Sequence, residues 1–405
     1  MATAQQLTEA ARGLVERGHE VTVISSRHGY DDPRWRFAPR ERWNGIEIIR
    51  LRSINLGKTK AWRRMLNFAS FSLACALRLS VTRPYDAVVA LTSPPLISWV
   101  ASLFTRIKGG RLVFWVMDLN PDEAIAAGWI RPNSMTARLL GTLLNSSMSH
   151  AERIVVLDRF MKDRIKAKGI PEEKISIIPP SSNDSVHFDQ QGREEFRKLH
   201  KLSGKFVVMH AGNHSPCHSL DTLLEGAAQL RARDDIVFCF AGGGSELNKV
   251  KEYAGAERLE NILCLPYQPQ EMLGALLSAA DLHVVVMGEA FRGIVHPSKI
   301  YNILATGLPF LYIGPKESHM GDIISKLNDD CLAMQAPKGE VATVARHIAN
   351  CAERLSAKGL PEVTTMAQEF SSRALLPKLI AEIESSVADK IPFVPECEEL
   401  KLIGE

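Results

Sequence analysis

The stretch GIVHPSKIYNILATGLP (residues 293–309) runs directly into the apolar PFLYIG (309–314). Together they spell one helix and the strand after it. Pro297 suits a first helical turn, because its missing amide would be unpaired there and its φ is already helical. Gly307 suits the exit, where a left-handed residue ends a helix. The strand is apolar along its whole length, so it is covered on both faces and belongs to a parallel sheet. Ser298 and Lys299 fall in the first turn, where a helix dipole favours an anion. Arg292, on the approach loop, offers a planar fork for phosphate. The segment therefore predicts a diphosphate cradle; the competing reading is a capped helix with a solvated lysine.

The same unit recurs in both directions. In LTEAARGLVERGHEVTVISS (7–26), Leu7, Ala11, Leu14 and Val15 share a helical face, RGHE turns the chain, and a β-branched strand follows. Further strands are predicted at Ile46–Leu51, Asp86–Thr92, Arg111–Leu119, Arg153–Asp158 and Lys174–Pro180. The pattern restarts with KFVVMHAG (205–212) and continues through DIVFCFAGGG, NILCLP and DLHVVVM. The polar, turn-rich PPSSNDSVHFDQQG (179–192) separates the halves. Two doubly wound α/β domains follow from this alternation. The reading divides the chain into a first domain (1–182), a second (183–366), a C-terminal helix packing back on the first (367–388) and a frayed tail (389–405). A doubly wound domain ordinarily opens with a buried strand and a glycine-rich turn, yet this chain opens in a helix. The first strand of the N-terminal domain is expected to be missing, through a late start of the reading frame.

Bulk properties fit a globular protein. The 405 residues are 45% hydrophobic and 23% charged, with net charge +3, which gives no ground for a nucleic-acid partner. Seven cysteines, none at CxxC spacing, suggest reduced thiols in a cytoplasmic protein. The longest apolar run, MLNFASFSLACALRL (65–79), is too short to cross a bilayer, and no signal peptide is read at the start.

Ligands of open α/β sheets bind beyond the carboxyl ends of strands, and three more loops leave such ends with distinctive chemistry. In AGNHSPCHSLDTLLEG (211–226), Gly212 and Asn213 permit a tight turn. His214 and His218 add polar or cationic groups ahead of a helix near Ser219; capping serine and solvated histidines are the alternative. In AGGGSEL (241–247), Gly243 and its neighbours let backbone approach a ligand, although a plain tight turn explains them equally. No GxGxxG pattern is present, which counts against a dehydrogenase. In VMDLNPDEAIAAGW (116–129), Asp118 and Asp122 end a very apolar strand, where carboxylates can bind sugar hydroxyls or act as a base. Helix capping by Asn120 or Asp122 is the alternative. Finally, GKTKAWRRMLNF (57–68) sets Lys58, Lys60, Arg63 and Arg64 beside Trp62, Met65, Leu66 and Phe68, a combination suited to an anionic membrane or to an ordinary core helix with a basic end.

Taken together, GNHSPCHSLDTLLEGA, AGGGSE, LPYQPQEMLGALLSAADLHVV and PSKIYNILATGLP resemble the GT-B glycosyltransferases. The resemblance is greatest to the family-4 (glycosyltransferase 1-type) group of bacterial surface-polysaccharide biosynthesis. It implies two Rossmann-like domains facing a cleft, a nucleotide-sugar donor on the second domain, a lipid-linked or saccharide acceptor on the first, retention of configuration and no metal or other cofactor. By the same resemblance Lys299 and Arg292 would neutralise the leaving diphosphate, and Asp118 completes the catalytic set. Gly212, Asn213, His214, Gly243 and Ser298 would line the donor site, Tyr267 and Gln268 would pack on the base, and Asn302 would bond ribose. Asp122 falls on the acceptor side. The two glutamates of the family pattern map to Ile294 and Asn302, and the basic residues of its GNxG loop give way to Pro216 and Cys217. The expected location is cytoplasmic, peripheral at the inner face of the membrane. A non-catalytic nucleotide-sugar-binding or scaffolding protein is the alternative from another class, and a GT-B-shaped epimerase the third reading.

Overall fold

The computed structural model describes residues 2–29, 35–57, 61–327, 333–358 and 366–388. Thirteen strands lie among them. In the first half these are β1 (Thr22–Ser26), β2 (Arg40–Trp43), β3 (Ile46–Leu51), β4 (Ala87–Ala90), β5 (Arg111–Trp115), β6 (Arg153–Val156) and β7 (Ile175–Ile177). The second half contributes β8 (Phe206–Asn213), β9 (Ile236–Gly243), β10 (Ile262–Leu265), β11 (Leu282–Val286), β12 (Phe310–Ile313) and β13 (Ala333–Ala336).

The second half is one six-stranded sheet in the order β10-β9-β8-β11-β12-β13, parallel throughout. That order reverses between β8 and β11, which places a crevice beyond the carboxyl ends of these two strands. β11 and β12 are fully buried, as their uninterrupted apolar sequences require. The intervening helices cover both faces. Helix Lys299–Thr306 turns Ile300, Tyr301, Ile303 and Leu304 inward, each apolar side chain contributing roughly 1.5–3 kcal/mol. It ends at Gly307, whose φ of 69° is the left-handed exit expected there.

The first half is divided. β1, β3 and β2 form one sheet, with β1 parallel and β2 antiparallel to β3. β4 to β7 form a second, parallel sheet in chain order. Among the described residues no strand pairs with the free edge of β1 or of β4. The consequence is visible in burial: β1 is half-buried at every position and β4 is fully buried only at Ala90, whereas β5 and β6 are buried from their second residue onward. The interruption falls where the strand order of the second half would put a first strand. β2 and β13 lie outside the strands read from sequence. Both are edge strands, and β2 carries the charged RERW that no apolar pattern marks.

The halves are joined by more than their linker. One buried apolar cluster is continuous from Phe114 and Ile154 to Ile300, Tyr301 and Phe310. Helix Ser372–Ser385 lies against helix Ala2–Glu16; Ser372 donates to Glu9 (2.8 Å) and Arg17 pairs with Glu384 (2.7 Å). Arg159 holds Asp322 through two bonds of 2.7 and 2.9 Å.

Candidate active site

Lys299 lies at the crevice beyond β8 and β11. Its amine is 3.1 Å from Nε2 of His210, the fifth residue of β8. His210 donates from Nδ1 to the Val284 carbonyl (3.0 Å), so Nε2 keeps its lone pair and accepts from the lysine. The Cα of Gly212 faces the same amine: a Cβ there would stand 3.8 Å from Nζ. Among the described residues no carboxylate lies within ion-pair reach of Lys299, and desolvation pulls its pKa down to about 7. An anion arriving here would restore the full charge. Ile300 and Tyr301 already return their amides to the carbonyls of Pro297 and Ser298 (3.4 and 3.2 Å). A diphosphate cradle here would depend more on the lysine than on a complete set of free amides.

The histidines of the β8 loop are not cations. His214 is fully buried and is pushed down to about 4 by desolvation and then by Lys299. His218 is pushed to about 3 by the same two causes; its Nδ1 donates to the Val286 carbonyl at 2.7 Å. Both rings are neutral at pH 7, the polar rather than the cationic of the two readings of this loop. Burial among apolar strands costs a charged imidazole more than its hydrogen bonds return.

The glycines of AGGGSEL have a local reason. At Gly242 φ is +139°, and a Cβ would collide with the carbonyl oxygen of Gly212 on the neighbouring strand. The loop is thus pressed against the β8 loop, and Gly243 lies under the Tyr267 ring, whose hydroxyl donates to the Gly243 carbonyl at 3.3 Å. Gln268 folds back onto the Pro266 carbonyl (3.0 Å). Asn302 accepts at Oδ1 from the Asn183 amide (2.8 Å), tying the helix to the linker. Asn213 and Ser298 stand at the rim of the loops: Asn213 is exposed at the end of β8, and Ser298 precedes the Lys299 helix without a side-chain cap. Arg292 is paired with Glu317 (3.0 Å) and its guanidinium lies over Phe160.

Across the crevice, Asp118 follows β5. Its amide donates to Thr92 Oγ1 (3.3 Å), and burial, then the charge of Glu123, raise its carboxyl to about 7. Glu123 is raised as well, chiefly by burial. Both carboxyls raise the Cys217 thiol and Cys217 in turn raises Lys299, each a smaller effect than burial. Asp122 points elsewhere: it holds Lys168 at 2.9 and 3.0 Å. Sequence reasoning singled out neither Glu123 nor His210. A histidine closing an otherwise apolar central strand was the available signal for His210; Glu123 needed the tertiary fold.

The cradle loop is docked on the first half. Ile294 accepts from the Leu119 amide (2.9 Å), and the Arg292 carbonyl accepts from Arg164 (2.7 Å). Gly293, at φ +67°, passes so close to Phe160 that a Cβ would sit 2.6 Å from its carbonyl oxygen. His296 is buried between Asp158 (Nδ1–Oδ2 2.7 Å) and the Tyr301 hydroxyl (Nε2–Oη 2.7 Å), with the His319 ring stacked on it at 3.8 Å.

Residues 2–181 match the glycosyl transferase 4-like domain and residues 192–311 the glycosyl transferases group 1. The chain belongs to the GT-B glycosyltransferases. A putative colanic acid biosynthesis glycosyl transferase of Escherichia coli K12, WcaI, is 22% identical over 91% of this chain and 91% of that protein. A probable glycosyltransferase of Pseudomonas aeruginosa, WbjE, is 26% identical over 75% of each. Among solved structures, Anabaena Alr3699/HepE in complex with UDP and glucose superposes with TM-score 0.69 at 15% identity, covering 94% of this chain and 95% of that one. WaaG, a glycosyltransferase involved in lipopolysaccharide biosynthesis, superposes with TM-score 0.66 at 16% identity over 94% and 95%. The fold of this glycosyltransferase is therefore the GT-B fold.

Proposed function

We propose that this glycosyltransferase moves a sugar from a nucleoside-diphosphate sugar, held beyond β8 and β11, to a lipid-linked or saccharide acceptor presented by the first half, during surface-polysaccharide biosynthesis. The observation that carries the reading is Lys299. Among the described residues it is an amine without a carboxylate partner, at the switch point of a doubly wound sheet, facing the backbone of Gly212. Cleaving the glycosyl–phosphate bond leaves negative charge on the diphosphate, and a preorganised cation there stabilises the transition state more than the ground state. Arg292 assists by exchanging Glu317 for phosphate. Ser298, Asn213 and Gly243 border the donor, and Tyr267 offers a face to the base. The names of the relatives and the UDP complex support donor class and pathway. The reading needs no metal. Transfer proceeds with retention: the bond from anomeric carbon to diphosphate oxygen breaks, the acceptor oxygen bonds that carbon on the same face, and the acceptor proton passes to the leaving diphosphate. Asp118 orients the acceptor hydroxyl. The enzyme works in the cytoplasm, against the inner face of the membrane.

The test is direct. UDP or GDP should raise the melting temperature of the whole chain, and membranes supplied with radiolabelled nucleotide sugars should become labelled. Lys299→Ala should slow transfer roughly a hundredfold, about 3 kcal/mol in the barrier, with an unchanged fold. Undiminished transfer would remove the lysine from the mechanism. The interrupted first sheet favours a second reading, a donor-binding protein without transfer, and nucleotide binding with no labelling would select it.

A further inference from the structure

Three helices on the outside of the first half bury apolar side chains such as Phe104, Leu144 and Met148 but also turn a run of large apolar side chains outward. They are Ala61–Ser80, Ile97–Lys108 and Met135–His150, and the middle one packs against both others. In the middle helix Ser98, Ser102 and Thr105 are buried, while Trp99, Leu103 and Ile107 face outward, Ile107 70% exposed. The hydroxyls serve the seam: Ser98 meets Ser147 of the third helix at 3.0 Å, and Thr105 meets His150 at 3.0 Å. The same outward stripe continues on the first helix with Trp62, Leu66, Leu73 and Leu77, and on the third with Met135 and Leu139. Spacings of four and seven residues keep each stripe on one helix face.

Charge on these helices is of one sign. Their 48 residues contain no Asp or Glu, in a chain with 46 of them among 405 residues. They carry six cations: Arg63, Arg64, Arg78, Arg106, Lys108 and Arg138. Large apolar patches on a soluble surface mark an interaction site. A second copy of this chain would bring like charges against like, which disfavours self-association through this face. Among the described residues no helix is long and apolar enough to cross a membrane. Small hydroxyl residues at a helix seam with large apolar residues outside is the arrangement used where the outside is lipid.

We infer that this three-helix face is a docking surface for an anionic lipid bilayer, with the helices lying in the headgroup region and their apolar stripes inserted shallowly. It extends the basic segment singled out in the sequence, of which Lys58 and Lys60 lie outside the described residues, to a surface several times larger. Arg64 connects that surface to the site: its guanidinium lies over the Trp129 ring at 5.2 Å and its charge acts on Glu123. A lipid-linked acceptor held at this face would have a short path to Asp118. That purpose rests on the transferase reading, whereas bilayer binding itself requires no transfer.

Flotation of the full chain with vesicles of phosphatidylcholine, with and without phosphatidylglycerol, tests the inference. Binding is expected only with the anionic lipid and should weaken as salt rises. Leu77→Ser/Leu103→Ser/Ile107→Ser, all exposed positions, should abolish flotation. Lys108→Glu/Arg138→Glu should weaken it at least about tenfold, since each cation near an anionic surface is worth about fivefold. The nucleotide-induced rise in melting temperature should survive in both variants, which confirms that they fold. The inference is overturned if wild type floats equally with neutral vesicles, fails to float with anionic ones, or if the serine variant floats unchanged. It is overturned equally if sedimentation shows a wild-type dimer that the serine variant converts to monomer.

Discussion

Oδ2 of Asp158, at the end of β6 in the first half, lies 2.7 Å from Nδ1 of His296, three residues before Lys299 in the second. Both are buried. Asp158 also caps its own helix through the Met161 amide (2.8 Å), and His296 passes the connection on to Tyr301 inside the Lys299 helix. The position of the proposed phosphate cradle is thus set partly by a carboxylate of the other half.

Asp158→Asn should destabilise the protein at neutral pH. Burial raises its carboxyl, but the bond and charge of His296, the charge of His319 and the bond from the Met161 amide outweigh this and hold it at about 2. A folded value below the unfolded one means the stabilisation is present above about pH 4 and lost as pH falls toward 2. It amounts to about 2 kcal/mol at pH 7. Urea unfolding of both proteins at pH 7 measures the gap, which should close as the pH drops below about 4. Equal stability at pH 7 would dismiss the contact. The variant should also bind UDP more weakly, because the cradle loses an anchor.

Nucleotide binding should take up a proton. Lys299 is held at about 7 with no anion present, and a diphosphate would raise it. Above pH 7 the free amine is increasingly neutral and must be charged on binding, so affinity should fall by up to about tenfold per pH unit there. Calorimetry of UDP binding at pH 8, in buffers of different ionisation enthalpy, reads the proton directly. Uptake should vanish in Lys299→Ala; uptake unchanged in that variant would assign the proton to another group.

Glu123→Gln should lower the pKa of Asp118. The neighbouring carboxylate is one of two causes that hold Asp118 at about 7, burial being the larger. Removing its charge should shift the titration toward lower pH by a fraction of a unit to about one unit, leaving the burial contribution in place. Carbon-13 NMR of labelled aspartates follows this without a substrate. No movement would show that the two carboxyls do not sense each other.

Asp281→Asn should be the most damaging single exchange of the set. Asp281 accepts from Arg193, Arg197 and the Val207 amide in the interior of the second half. Loss of its charge leaves two guanidinium groups without their counter-ion, which typically costs 3–5 kcal/mol. Thermal and urea unfolding should show it, and restoration by a hydrophobic replacement of all three residues would separate pairing from packing.

Several features were legible in the chain because they are local. Apolar strands such as FLYI announce burial on both faces whatever surrounds them. Pro297 and Gly307 mark the ends of their helix through backbone geometry alone. The triple glycine at 242–244 signals close backbone approach, although which backbone it approaches is not written in it. The same locality explains β2 and β13: an edge strand needs no apolar code, so RERW gave no strand signal.

The sequence by itself determined the alternation of helices and strands, the doubly wound halves and the position of Lys299 at a helix start beyond a central strand. Each follows from periodicity and capping, which act over a few residues. Only the tertiary structure decided that His214 and His218 are neutral, that Asp122 is bound to Lys168, that Glu123 stands beside Asp118, and that Asp158 reaches across to His296. These depend on desolvation and on contacts between residues distant in the chain, and neither is encoded in spacing. The three-helix face falls between the two. Its apolar run is visible in the sequence, but only packing shows that Ser98, Ser102 and Ser147 point in while Trp62, Leu77 and Leu103 point out.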